Sequence, residues 1–290
     1  MRRLLLVILL LLSAAGCSSS TTATPVAPCD PGPRGTRTVE VGKRSFIMHV
    51  PRDLVTPAPV VFNFHGRGSN AEEELLYTGM TQESEGGRFI LVLPDGINGR
   101  WDLRGGDDAY LQAVYDAVPC KDTSRVYASG MSMGSAMTFY LACQPDRKFA
   151  AFGGVALAVY SPKCAAAPPA PIIYFHGTKD QVVKYRGGRA GGTQYVLPPV
   201  PKAMRGWASH NGCADKAVTD KGKDVVLTQW SGCSADASID FYRIDGGGHT
   251  WPGTDRLIAS ATKDTLGRTT QTVDASALMW KFFQQYTLAQ

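Results

Sequence analysis

Apolar residues fall along this chain in short runs separated by amphipathic stretches, the rhythm of strands alternating with helices. Strand-like runs occupy Ser45–Val50, Val60–Phe64, Phe89–Leu93, Arg125–Ser129, Phe149–Leu157, Ile172–Phe175 and Ile239–Ile244. Helical patterns lie between several of them. Tyr110–Val118 follows Asp107 and Asp108, acidic residues suited to the positive end of a helix. Ala136, Met137, Tyr140 and Leu141 outline a second helix. Ala275, Leu278, Met279, Phe282, Phe283 and Tyr286 form a stripe behind an Asp274 cap. Strands alternating with helices build a mostly parallel sheet covered on both faces. No repeat and no second compositional block interrupts the pattern, which predicts one α/β domain over residues 37–290.

The N-terminus breaks this rhythm. Arg2 and Arg3 precede the apolar run Leu4 to Leu12, which is too short to cross a bilayer of about 30 Å and matches a signal peptide over residues 1–16. Ala14-Ala15-Gly16-Cys17 resembles the lipobox of bacterial lipoproteins, which makes Cys17 a lipid-attachment site; simple cleavage would leave it a free thiol. Residues 17–36 then form a tether, rich in Ser and Thr over 18–28. The chain is expected to be exported, touching a membrane only through that lipid and otherwise secreted.

Composition agrees with a folded exported protein. Of 290 residues, 44% are hydrophobic and 19% charged, which excludes disordered and coiled-coil classes. The net charge is +5 with no Lys/Arg-rich run, so nucleic acid is not an expected partner. Apart from Cys17 the cysteines are Cys29, Cys120, Cys143, Cys164, Cys213 and Cys233, an even set that implies disulfides in an oxidising compartment. Proximity in sequence favours Cys143–Cys164 and Cys213–Cys233, leaving Cys29–Cys120, although other connectivities remain open. No C-x-x-C pair suggests a metal site, and neither metal nor cofactor is expected.

Short motifs carry the candidate chemistry. Gly130-Met131-Ser132-Met133-Gly134 follows a strand and opens a helix, the setting in which G-x-S-x-G presents a nucleophilic serine on a tight turn. Ser132 is the expected nucleophile, and the Met133 amide an expected oxyanion donor. Of the five histidines, His249 lies in a glycine-rich loop after the last strand and after the serine in chain order, as a general base in this arrangement should. His49 sits inside a strand-like run and His210 on a helical stretch, while His65 and His176 end strands. Asp180 follows the strand Ile172–Phe175 and a turn, and is the expected carboxylate partner of His249. The loop His65-Gly66-Arg67-Gly68 after an early strand resembles the His-Gly-x-Gly element of esterases, with the Arg67 amide as second donor. His65 braces that loop and counts with Trp251 among the candidate substrate-binding residues.

Phe64-His65-Gly66, the Ser132 motif, His176-Gly177-Thr178-Lys179-Asp180 and Gly247-Gly248-His249-Thr250-Trp251-Pro252-Gly253 together resemble the exported esterases of the polyhydroxybutyrate-depolymerase/feruloyl-esterase group, which is similar to carbohydrate-esterase family 1. The resemblance covers most of residues 37–287 and implies an α/β-hydrolase fold. It departs at Met133-Gly134-Ser135, where many members carry Asn and then Gly-Gly. It also implies a cystine behind the nucleophile helix, consistent with Cys143–Cys164, and one joining Cys213 to Cys233. The implied activity is a cofactor-free serine carboxylesterase, monomeric, acting on hydroxycinnamoyl or acetyl esters of plant polysaccharide or on hydroxyalkanoate oligomers. An acyltransferase on the same triad and a catalytically silent polymer-binding lipoprotein are the competing readings. Residues Ala158–Pro171 are too proline-rich for a helical lid. An open cleft is therefore expected, with Trp251 as an aromatic wall beside the acyl group.

Overall fold

The computed structural model describes residues 29–288; the leader, Cys17 and residues 18–28 lie outside the described residues. The chain opens with strands β1 (Gly35–Val41), β2 (Arg44–Val50) and β3 (Ala58–Phe64). Helices α1 (Ala71–Thr78) and α2 (Met80–Gly87) lead to β4 (Ile90–Pro94), then α3 (Asp108–Ala117) and β5 (Lys121–Met131). Next come α4 (Met133–Ala142), β6 (Ala151–Val155) and β7 (Ile172–Gly177). A small hairpin of β8 (Gly188–Arg189) and β9 (Val196–Leu197) precedes α5 (Val200–His210), β10 (Asp215–Asp220), β11 (Val225–Ser231) and β12 (Ile239–Ile244). Helices α6 (Arg256–Ala261), α7 (Lys263–Leu266) and α8 (Ala275–Phe283) complete it.

All strands but the hairpin join one ten-stranded sheet in the order β1-β2-β4-β3-β5-β6-β7-β12-β11-β10. Strands β4, β3, β5, β6, β7 and β12 run parallel, and antiparallel partners finish both edges. Every residue of β3, β4, β6 and β7 is buried, as continuous apolar runs covered on both faces require. Alternate residues of β3 serve different layers. Phe62 and Phe64 pack with Leu111 of α3, Phe139 of α4 and Trp207 of α5. Val61 belongs with Met80 of α2 and Met279 and Phe283 of α8 on the other face. This is the α/β-hydrolase layering of helices on both sides of a mostly parallel sheet.

The folded chain begins earlier than residue 37. Cys29 is already tied to Cys120, and β1 starts at Gly35, where its hydrogen bonds to β2 hold a segment of alternating exposure in extended form. Between β6 and β7, where a lid could be inserted, residues 162–166 form only a short 3-10 turn with Cys164 buried.

Three disulfides join Cys29 to Cys120, Cys143 to Cys164 and Cys213 to Cys233. The first spans 91 positions in sequence and so restrains the unfolded chain most. Replacing Cys29 and Cys120 by Ser is expected to lower stability by about 4 kcal/mol, a Tm shift on the order of 10 °C by calorimetry. Turnover at 25 °C should be unchanged, because Cys120 precedes β5 and Ser132 follows its other end. An unmoved Tm would contradict this.

Candidate active site

β5 ends at Met131 and α4 begins at Met133, so Ser132 alone turns the chain. It does so at φ +54° and ψ −116°, a conformation that costs a non-glycine residue energy and is held only where its surroundings force it. The forcing is visible on both sides. A Cβ on Gly134 would collide with the Phe64 carbonyl, and one on Gly130 would lie 2.6 Å from the Gly134 carbonyl carbon. The end of β3 thus passes directly under the start of α4. Ser132 N–H donates to Val155 O (2.8 Å), which pins the turn to the end of β6.

Asp180 and His249 meet beyond the C-terminal ends of β7 and β12, on the same side of the parallel strands as Ser132 after β5. After β7 the chain turns, with Asp180 N–H donating to Gly177 O at 3.2 Å. Asp180 Oδ1 accepts from the Val182 and Val183 amides, each at 2.8 Å. Its Oδ2 accepts from His249 Nδ1 at 2.7 Å. Both side chains are almost fully buried. Because a carboxylate can only accept, the His249 proton sits on Nδ1 and Nε2 is left as the basic nitrogen. No hydrogen bond joins Ser132 Oγ to that ring among the described residues; such contacts often tighten only when substrate binds.

The glycines of the His249 loop serve close packing rather than mobility. A Cβ on Gly177 would strike the Gly247 carbonyl, and one on Gly248 would strike that of Leu266. The loop is then fastened by Gly248 N–H to Arg268 O (2.9 Å), His249 N–H to Leu266 O (2.6 Å) and Gly253 N–H to Thr270 O (3.1 Å).

The loop after β3 reaches the serine as well. The position of a Cβ on Gly66 is 3.6 Å from Ser132 Cβ. Among the described residues the amides of Arg67 and Met133 have no hydrogen-bond acceptor, which leaves both free to meet an incoming oxygen. The Arg67 side chain turns away and donates to Gly192 O (3.2 Å) on the loop between β8 and β9.

Two expected substrate-binding residues lie elsewhere. His65 has no exposed surface: Nδ1 donates to Gly66 O (2.8 Å) and Nε2 accepts from Gly96 N–H (2.9 Å). Burial pushes its pKa down, more than the Gly66 carbonyl pulls it up, so Nε2 stays available as an acceptor. His65 therefore braces the loop and does not line a cleft. Trp251 is also fully buried, packed in the α8 layer, with Nε1 donating to Ser276 Oγ (3.0 Å), which in turn donates to Thr78 O (2.7 Å). An indole with its polar handle satisfied inside the core offers no wall to an acyl group.

Sequence reasoning passed over two residues that shape the site. Trp101 donates from Nε1 to His65 O (2.9 Å) beneath the Gly66–Arg67 turn. Its signal in the sequence is a lone large aromatic in a loop rich in Gly and Asp. Tyr77 on α1 accepts the Trp251 amide at 3.4 Å, and burial pushes its hydroxyl up to about 12. Nothing in the sequence ties α1 to the His249 loop.

Comparison with known proteins gives these features a class. No family model matches the chain. A probable feruloyl esterase C of Aspergillus terreus is 29% identical over 235 residues, which cover 76% of this chain and 82% of that protein. A bifunctional acetylxylan esterase/xylanase of Neocallimastix patriciarum is 26% identical over 221 residues, covering 71% of this chain but only 31% of the larger protein. Among solved structures, an acetyl xylan esterase from Aspergillus awamori superimposes with a TM-score of 0.55 at 18% identity, over 74% of this chain and 94% of that one. The chain has the α/β-hydrolase fold, and its class is that of the carboxylic ester hydrolases. Within that class its homologues are feruloyl and acetylxylan esterases. The three disulfides accord with an exported protein.

Proposed function

We propose that this protein is an exported serine esterase that removes hydroxycinnamoyl or acetyl groups from plant polysaccharide. The observation that carries this reading is the buried 2.7 Å bond between Asp180 and His249, at the C-terminal ends of the parallel strands, where the Ser132 turn stands. Ser132 Oγ attacks the ester carbonyl while His249 Nε2 takes its proton, and Asp180 stabilises the imidazolium that forms. The amides of Arg67 and Met133 hold the oxyanion. His249 returns the proton to the departing sugar oxygen, and water then releases the acid by the same steps in reverse. The relatives named feruloyl and acetylxylan esterases support the polysaccharide-ester substrate class. With Trp251 in the core, the exposed Tyr195 supplies the aromatic surface for an acyl group; it sits on the β8–β9 loop that Arg67 ties to the oxyanion turn. The protein works as a monomer held at the cell envelope by lipid on Cys17.

Purified protein assayed on methyl ferulate, acetylated xylo-oligosaccharides and hydroxybutyrate oligomers, with and without an acceptor alcohol, tests this. Release of free acid from the first two should exceed that from hydroxybutyrate oligomers by tenfold or more, an effect of about 1.4 kcal/mol in transition-state binding. Preference for the polyester, or ester exchange outrunning hydrolysis, would overturn it.

A further inference from the structure

A second histidine stands behind the Asp180–His249 pair. His176 is the next-to-last residue of β7, with its side chain wholly buried. Its Nε2 donates to Val183 O at 2.8 Å and lies 3.5 Å from Asp180 Oδ2, the oxygen that also takes the His249 bond. On the other side of the ring, Nδ1 is 2.5 Å from the Tyr174 hydroxyl. A carbonyl can only accept, so Nε2 carries the proton and Nδ1 accepts from Tyr174 O–H. The tautomer is therefore fixed from both ends.

We infer that His176 is a positioning residue for Asp180, with Tyr174 fixing its tautomer: its Nε2–H anchors Val183 O, in the turn whose amides grip Oδ1, and Nε2 lies 3.5 Å from Oδ2. This rests on the Ser132–His249–Asp180 reading. By fixing Val183, whose amide joins that of Val182 on Oδ1, His176 keeps the carboxylate in the orientation that receives His249 Nδ1–H.

The neutral form of His176 suits this role. A second imidazolium there would compete with that of His249 for the same carboxylate charge and weaken the base. Burial pulls the His176 pKa down to about 4, against the upward pull of Asp180 and of the Val183 carbonyl and with a further downward push from His249. Burial likewise holds the Tyr174 hydroxyl well above its ordinary range, so it keeps the proton it donates. The other titratable groups facing this pocket are Tyr185, whose ring centre is 5.9 Å from that of His176, and Arg243, its β12 partner, whose guanidinium is paired with Asp245.

Replacement of His176 separates positioning from mere filling of space. His176→Leu keeps the apolar bulk and loses the donor, whereas His176→Gln carries an N–H at the reach of Nε2. Per folded enzyme, on a p-nitrophenyl ester, His176→Leu should lower kcat by about 10–100-fold with KM nearly constant, the range typical for outer partners that orient a functional side chain. The acid limb of its pH–rate profile should move to lower pH, and His176→Gln should return kcat to within about threefold of the parent. Tyr174→Phe, which removes one oxygen and no packing, should move kcat and the profile in the same direction by a few-fold. It carries the test should His176→Leu fail to fold. Unchanged kcat and pH profile in the folded variants would overturn the positioning role, as would a His176→Gln no better than His176→Leu. Ser132→Ala in the same assay keeps the two readings apart. An active Ser132→Ala removes the underlying mechanism, while an inactive one beside unaffected His176 and Tyr174 variants removes the positioning role alone.

Discussion

Ser132→Ala is expected to lower kcat on a p-nitrophenyl ester by about 10⁴–10⁶-fold while leaving the melting temperature almost where it was. The two halves of that expectation have separate physical grounds. Loss of the nucleophile removes the acyl-enzyme route and leaves only the oxyanion amides and substrate binding. Stability is spared because the substitution deletes one atom from a half-buried side chain and leaves the backbone bond to Val155 O intact. Alanine at φ +54° is no easier to accommodate than serine, so the strain of the turn is carried over unchanged. Active-site-normalised kinetics and calorimetry on the same sample measure both halves. A variant retaining more than about a tenth of the activity would take Ser132 out of the mechanism.

What could be read from the sequence followed burial. Strands β3, β4, β7 and β12 stand out because their residues are mostly apolar, and the run Ile239–Ile244 coincides with β12. Strands β1 and β10 were not legible: one alternates in exposure, the other is exposed at every position, and cross-strand hydrogen bonds keep both extended. Helices α1 and α2 escaped notice for a similar reason. Each buries only two or three residues, and a single left-handed Gly79 separates them. The candidate triad was legible because each member follows a strand inside a short motif, where chain order and turn chemistry both constrain it. The direction of Trp251 was not. Two positions past a histidine, an indole can face a cleft or the core, and what decides here is Ser276 on α8, far away in sequence. The role of the glycines beside His249 was equally hidden: the sequence shows only a glycine-rich loop, and the neighbouring carbonyls show that these glycines let backbones touch.

Asp180→Asn should lower kcat at neutral pH by about 10⁴-fold without unfolding the protein, and the direction of its amide explains why. Asp180 Oδ1 accepts two backbone N–H groups, from Val182 and Val183, at 2.8 Å each. An asparagine in the same rotamer must turn its carbonyl oxygen toward those donors, since an NH₂ there would face them donor to donor in a buried turn. Its NH₂ is then aimed at His249 Nδ1, where the carboxylate Oδ2 stood. Nδ1 becomes an acceptor, the ring proton moves to Nε2, and the nitrogen facing Ser132 can no longer take the serine proton. The same NH₂ then stands about where Oδ2 was, 3.5 Å from His176 Nε2, whose proton stays with Val183 O. Shape and volume are nearly conserved, and the turn holding residue 180 keeps its amide bonds. The loss should therefore appear in kcat, with KM and Tm little moved. Nitrogen-15 NMR of the His249 ring gives an independent reading, since the protonated nitrogen should switch from Nδ1 to Nε2 between parent and variant. A variant within tenfold of the parent, or a ring still protonated at Nδ1, would mean that Asp180 does not set the tautomer of His249.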